Sequence, residues 1–283
     1  MNILWVGSGQ LAQAYMNNHH DHEMIGFRRT PQSFHGVSHY QEFGVNVFSE
    51  QALLESFQKI PKPDVIIYSV TPQDRSKAAY EQAYLQGLHN VRAALQSKGW
   101  QPFWLHIGSC GVFGQQYGEW VSEKTQPLVL NWRQEILMQS EAMLHDYSNH
   151  TILRLGGIYG GGREALLRRT FNATKSMIEQ PQGWSNRIHV VDVIGLIYSI
   201  IQQHLIIDCP KIIHGVDHAP AILSDVMTYI AQQKFQKRLL FKANGAETYS
   251  HKQQGVNKRV KSLGRSILNY RLKVPSYYDG YFQ

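Results

Sequence analysis

Cysteine is scarce. Cys110 and Cys209 are the only two; they lie far apart and share no ligand spacing. That excludes a disulfide framework and a cysteine metal centre, so no metal is expected and a reducing cytosol is the natural compartment. Long apolar runs are also missing. No stretch approaches the roughly 20 apolar residues a membrane span needs, so a cytoplasmic chain with no membrane partner is expected. The first residues, Met1-Asn2-Ile3-Leu4-Trp5-Val6, lack a basic leader and run straight into a glycine turn, which reads as a first strand and not a signal peptide. Acids are nearly absent from one region. Lys234 to Lys273 holds eleven Lys and Arg against the single acid Glu247, in a chain of net charge +7. No aromatic ladder or nucleic-acid motif accompanies these charges, so nucleic acid is not the expected partner. They read first as a solvated face, and second as an attraction for an anionic substrate or a cofactor phosphate.

What is present suits a globular chain: 43% of its 283 residues are hydrophobic and 17% charged, enough for a sizeable core. Strand-like and helix-like stretches alternate. Ile3–Val6, Met24–Phe27, a weak Val45–Phe48, a strong Val65–Ser69, Phe103–Ile107 and Ile152–Leu155 read as strands. Gln10–Asn18, Arg75–Ser97 and Trp132–Tyr147 read as helices. This order predicts an α/β fold with a Rossmann-type, doubly wound parallel sheet. After Gly160-Gly161-Gly162 the pattern loosens into a helix over Glu164–Glu179 and a short run over Ile188–Val191. The expected division is a dinucleotide-binding domain over 1–160 and a smaller substrate lobe mainly over 161–283. The helix Val193–His204 and the strand Lys211–His214 return to the main sheet.

Gly7-x-Gly9-x-x-Ala12 follows the first strand and opens the first helix. The first glycine permits a tight turn, the second lets the backbone approach a pyrophosphate, and the small Ala12 lets the helix pack on the strand. Helix N–H groups then face the phosphates. Gly7, Ser8, Gly9, Gln10, Leu11 and Ala12 are the predicted cofactor turn, with Ser69, Val70 and Thr71 at the next strand end. NAD-binding folds place an acid about 20 residues on, at the end of strand two, for the ribose 2′-hydroxyl. Here that place reads Phe27-Arg28-Arg29-Thr30. Arginine suits a 2′-phosphate, so Arg28 and Arg29 predict NADP over NAD.

Later segments resemble a family. His106-Ile107-Gly108-Ser109-Cys110-Gly111-Val112-Phe113-Gly114 resembles the strand end that carries the catalytic serine of the extended short-chain dehydrogenases/reductases, the NAD-dependent epimerase/dehydratase group. Gly118-Glu119-Trp120-Val121-Ser122-Glu123 with Pro127, Leu153-Arg154 through Ile158-Tyr159-Gly160 with Arg163, and Arg187 through His189 to Asp192 resemble later segments of an atypical branch. Asn257-Lys258-Arg259 and Val274-Pro275-Ser276-Tyr277-Tyr278-Asp279-Gly280 complete the series. The resemblance implies an oxidoreductase, epimerase or dehydratase with a C-terminal substrate lobe, and it puts Ser109 at the catalytic serine. Phe113 replaces a family tyrosine.

The family's working base is a Tyr-x-x-x-Lys pair, whose lysine lowers the tyrosine pKa. None of the 15 tyrosines here has a lysine four residues on. The expected helix reads Asn131-Trp132-Arg133-Gln134-Glu135-Ile136-Leu137. Three substitutes remain: Ser109 as a hydrogen-bond donor to substrate, Arg133 as a contact for an anionic group or the nicotinamide ribose, and Tyr159 as an alternative acid. Two readings stay open. One is an enzyme with altered acid/base groups acting on a small anionic or nucleotide-linked substrate. The other is a non-catalytic NADP-binding regulator or sensor, working through partners or as an oligomer. His189 and Asp192 read as a structural capping pair, Trp104 and His106 as core, and the His19-His20-Asp21-His22 run as a polar loop.

Overall fold

The computed structural model describes residues 1–32, 38–242 and 257–282. The centre of the basic stretch, 243–256 with Glu247 and Lys252, therefore lies outside the described residues. In chain order the strands are β1 (Asn2–Val6), β2 (Glu23–Arg28), β3 (Tyr40–Gly44), β4 (Val65–Tyr68), β5 (Phe103–Ser109), β6 (Glu119–Val121), β7 (His150–Leu155), β8 (Gly157–Tyr159), β9 (Trp184–Ser185), β10 (Arg187–His189), β11 (Ile212–Gly215), β12 (Ala221–Ile222) and β13 (Lys258–Val260). The helices are α1 (Gln10–Met16), α2 (Glu50–Phe57), α3 (Lys77–Glu81), α4 (Gly87–Ser97), α5 (Trp132–Ala142), α6 (Ala165–Ala173), α7 (Val190–Gln203), α8 (Leu223–Phe235), α9 (Gly264–Ile267) and α10 (Tyr277–Gly280). A π turn over Gln82–Gln86 joins α3 to α4. No helix among the described residues is long and apolar enough to cross a membrane.

Seven strands form a parallel sheet in the order β11-β7-β5-β4-β1-β2-β3. β4 is buried along its whole length, as a strand covered on both faces by helices must be. Strand order reverses between β1 and β4, and open α/β sheets leave a ligand crevice outside the strand ends at such a point. β11 is an edge strand of this sheet, beside β7.

The third strand differs from expectation. Val45–Phe48 is not a strand; β3 precedes it at Tyr40–Gly44 and pairs with β2 in the register Gly26↔Glu42. Val45 and Val47 are apolar because they enter the core beside Leu4, Phe27 and Leu53. β3 is the half-exposed edge strand, and its polar Tyr40-Gln41-Glu42 run hides it from a hydrophobic pattern search. The helix expected over Glu164–Glu179 contracts to α6.

The chain forms two compact units. Unit 1 comprises Met1–Val112, Leu130–Arg154 and Ile197–Ile213; unit 2 comprises Phe113–Val129, Leu155–Leu196 and His214–Gln283. The unit 1 core includes Val6, Phe27, Ile66, Tyr68, Leu88, Val91 and Trp104. It also holds a buried ion pair, in which Arg154 Nε and Nη2 donate to the two oxygens of Glu141 at 2.9 and 2.6 Å. Unit 2 has an aromatic cluster of Tyr159, Tyr277 and Tyr281 around Val226 and Ile230.

His106, at the middle of β5, is fully buried and stacked on Tyr68 with ring centroids 5.8 Å apart. Burial lowers its pKa to about 4, with help from His150. Burial also lowers those of His22, His150 and His204. Between about pH 6.5 and 4 the unfolded chain binds a proton that folded His106 refuses, so stability falls as pH falls. The expected loss from His106 alone reaches about 3 kcal/mol by pH 4. Thermal melts between pH 7 and 4 check this: wild type should lose Tm steeply, and His106→Leu less so. A flat wild-type profile would refute the neutral burial of these histidines.

Candidate functional site

β1 ends at Val6 and α1 opens at Gln10, so the three residues between must reverse the chain in a tight turn. Gly7 does so at φ +84°. A Cβ there would lie 2.7 Å from the backbone nitrogen of Val70, so the turn presses on the segment after β4. Gly7 and Ser8 donate from backbone N–H to the Phe27 carbonyl at 2.8 and 3.2 Å. Ser69 closes the arrangement: its Oγ accepts from Trp5 Nε1 at 2.8 Å and donates to the Gly7 carbonyl at 3.0 Å. Ala12 is buried and lets α1 sit close; Gln10 is exposed and Leu11 half-buried. Gly7, Ser8 and Gly9 share a cavity of about 290 Å³ with Arg28, Arg29, Thr30, Ser69, Val70 and Thr71. Three predicted segments, far apart in sequence, therefore line one space.

Sequence reasoning missed Glu42. No acid ends β2, but β3 places the Glu42 carboxylate beside the turn. Glu42 Oε1 accepts from Ser8 Oγ at 3.0 Å and Tyr40 Oη at 2.6 Å, and Oε2 accepts from the Gln32 N–H at 2.6 Å. Burial, followed by the bond to Glu42, pushes the Tyr40 phenol well above its ordinary range, so it stays a donor. Arg28 Nη1 lies 3.9 Å from Glu42 Oε1. Only strand pairing could reveal this acid, because β3 carries no hydrophobic alternation.

Ser109 ends β5. Its Oγ accepts from the Gly111 N–H at 3.0 Å, which leaves the hydroxyl proton free to donate. Arg133, in the first turn of α5, lies over the Trp132 ring at 4.5 Å and the Tyr80 ring at 5.8 Å. It donates one bond to the Arg75 carbonyl at 3.1 Å. Tyr80 and Tyr84 come from the α3 region, and burial pushes the Tyr84 pKa up to about 12. A tyrosine and a cation thus meet here through tertiary structure and not through a four-residue spacing.

Tyr159 belongs to unit 2. It is 3% exposed, stacks on Tyr281 at 4.5 Å and donates its hydroxyl to the Ser276 carbonyl at 3.1 Å. Burial, reinforced by Asp217, raises its pKa far above the ordinary phenol range. The proton is therefore tightly held. Asp192 accepts from Tyr270 Oη at 3.0 Å and from the Lys273 and Val274 N–H groups at 2.6 and 3.0 Å. His189 Nδ1 faces the Val191 N–H at 3.4 Å, near the start of α7. Unit 2 also contains a cavity of about 470 Å³ lined by Trp120, Asp217, His218, Lys261, Ser262 and Arg265. Arg265 donates to the Val216 carbonyl and contacts His218 Nε2 at 2.5 Å. Burial raises the Asp217 pKa to about 6.

The histidine-rich segment is held by aromatic packing. His19 stacks on Tyr198 at 4.0 Å, and Asp21 accepts from Tyr198 Oη at 2.9 Å. Among the described residues no group of three His, Cys, Asp or Glu side chains is arranged to hold a metal ion.

No protein-family model matches the chain, and no curated protein matches it either. Solved structures do. A Methylobacillus flagellatus protein assigned to the NAD-dependent epimerases/dehydratases is 26% identical, with a TM-score of 0.79 over 99% of this chain and 96% of that one. The Bordetella bronchiseptica enzyme WbmG, solved with NAD, is 14% identical with a TM-score of 0.79, covering 99% and 91%. The Thermotoga maritima UDP-glucose 4-epimerase, solved with UDP-glucose, is 13% identical with a TM-score of 0.77, covering 99% and 96%. At such identities the last two share the fold alone.

Proposed function

We propose that the chain is an atypical member of the extended short-chain dehydrogenase/reductase family and that it binds a nicotinamide dinucleotide in the unit 1 cavity, NADP in preference to NAD. We propose further that it acts on a small anionic or nucleotide-linked substrate with acid/base groups other than a Tyr-x-x-x-Lys pair. The carrying observation is the Gly7 turn. It leaves no room for a Cβ against Val70 and opens into a cavity where Arg28 Nη1 is buried without a hydrogen-bond partner. A dinucleotide fits both features. The turn and the start of α1 would face its pyrophosphate, and Arg28 and Arg29 its adenosine ribose or 2′-phosphate. When bound, the nicotinamide supplies hydride exchange.

The roles proposed for this chain's own residues follow from their free donors. Ser109 would donate its hydroxyl proton to a substrate oxygen while Gly111 holds its Oγ. Arg133, supported by Trp132 and Arg75, has guanidinium donors left for an anionic group. Unit 2 by itself offers Lys261 and Arg265 in a cavity that suits an anionic group. Tyr159 would serve as an acid only after giving up the Ser276 carbonyl. That commitment favours the second reading, a regulator or sensor that binds NADP without turning over.

Titration of wild type with NADP and NAD tests the cofactor. Arg28→Ala is expected to weaken NADP at least about ten-fold, the worth of one charge-assisted phosphate contact, and to weaken NAD by less, since only a neutral hydroxyl contact is lost. Equal wild-type affinities would sink the NADP preference. Binding of neither would sink the cofactor reading. A structure with NADP bound separates the two functional readings: a nicotinamide ring within hydrogen-bond reach of Ser109 and open to substrate supports an enzyme, and a blocked ring supports the sensor.

A further inference from the structure

We infer that Glu42 is the residue that sets how strongly this site prefers a 2′-phosphorylated dinucleotide, acting as a fixed counter-charge behind Arg28. The inference rests on the dinucleotide reading above and concerns selectivity within it.

The position of Glu42 is built into the sheet. β3 pairs with β2 so that Glu42 stands beside Gly26. A Cβ at Gly26 would fall 2.1 Å from Tyr40 Oη and 2.7 Å from Ser8 Oγ. Glycine therefore makes the space in which two hydroxyls and one carboxylate meet. The Glu42 side chain is 4% exposed. Its oxygens accept from Ser8, Tyr40 and the Gln32 N–H. A carboxylate so engaged is not free to take the ribose hydroxyls, as an acid at the end of β2 would. What it exports to the cavity is charge.

Arg28 receives that charge. At 3.9 Å the contact with Glu42 is too long for a hydrogen bond and well within Coulomb reach. Arg28 Nη1 remains buried with no hydrogen-bond partner. The guanidinium is thus offset in charge yet unsatisfied in hydrogen bonding. A ribose 2′-hydroxyl can take the free donor without penalty. A 2′-phosphate takes the same donor but must approach a buried negative charge. Arg29 is exposed and adds a weaker, screened attraction. The result is a site that accepts NADP and does not exclude NAD, a narrower selectivity than two arginines in sequence suggest.

Calorimetric titration of NADP and NAD into wild type, Glu42→Gln and Tyr40→Phe tests this. Gln keeps the shape and the acceptor for Ser8 and Tyr40, removes the charge, and gives up the bond from the Gln32 N–H. It is expected to tighten NADP about ten-fold while NAD changes less than about two-fold, the scale of one partly shielded charge near a phosphate. Tyr40→Phe removes one bond of the same cluster and keeps the charge, so the NADP/NAD ratio should stay at the wild-type value. A purely structural role for Glu42 would move both cofactors together and leave the ratio fixed; that result overturns the inference alone. Failure of wild type to bind either cofactor overturns the underlying reading and the inference with it. Should Glu42→Gln not fold, Arg28→Ala decides. With Glu42 unshielded, NADP should weaken by more than about thirty-fold, the lost contact and the exposed charge acting together. A loss of ten-fold or less counts against the counter-charge.

Discussion

Gly7→Ala is expected to weaken dinucleotide binding by at least about a hundred-fold and to cost about 2–4 kcal/mol of stability. Two effects combine. An L side chain at φ +84° is strained by about 1–2 kcal/mol. The new Cβ would also lie 2.7 Å from Val70 N and 2.8 Å from the Ser69 carbonyl carbon, so the segment after β4 must retreat. That retreat pulls Ser69 Oγ away from the Gly7 carbonyl, and with it the bond that holds the turn to β4. Gly99→Ala is the control. Gly99 also has positive φ, at +64°, but nothing lies within 4 Å of its would-be Cβ. It should cost about 1 kcal/mol and leave cofactor affinity unchanged. Calorimetric titration and thermal melts of both variants check this. A Gly7→Ala protein that binds dinucleotide like wild type would remove the turn from the site.

Glu141→Ala is expected to be the most destabilising single change, at about 3–5 kcal/mol. It removes the carboxylate that takes two bonds from Arg154, 2% exposed, inside unit 1. The pair reaches Ser109 through β5. A Cβ on Gly108 would already lie 3.5 Å from Glu141 Oε1, and Gly108 precedes Ser109. The Arg154 carbonyl, in turn, accepts from the Cys110 thiol. Loss of the pair should therefore loosen the end of β5 as well as lower Tm. The double change Glu141→Leu with Arg154→Met removes both charges and should be less destabilised than either single variant. Chemical denaturation of the three proteins checks the order. Additive losses would show that the two side chains do not act as a pair.

Much of unit 1 was legible because its signals are local. The turn Gly7-x-Gly9-x-x-Ala12 needs small residues at fixed spacing, and β4 needs a continuous apolar run. Both requirements are met within a few residues, so Gly7–Gly9, Arg28–Arg29 and Ser69–Thr71 could be named before any pairing was known. Trp104 and His106 were legible as core for the same reason. The third strand was not. Its polar edge residues carry no period, and the valines after it mimic a strand because the core takes them as coil.

The opposite case is a side chain whose partner is remote. Tyr159 reads as an alternative acid, but the Ser276 carbonyl takes its hydroxyl from 117 positions away. Arg133 reads as a contact for an anionic group or the nicotinamide ribose, and Tyr80 comes beneath it from another helix. No spacing rule anticipates such contacts, because they depend on how helices and loops stack after the sheet forms.

The scarcity of cysteine and of long apolar runs, the glycine turn and the arginines after β2 were determined by the sequence alone: each is a demand of local backbone geometry or composition. The acid beside that turn was decided by tertiary structure. Arginines and no acid follow β2 in the sequence, and only the parallel pairing of β3 with β2 carries Glu42 to Ser8 and Arg28, since electrostatics depend on distance in space and not along the chain.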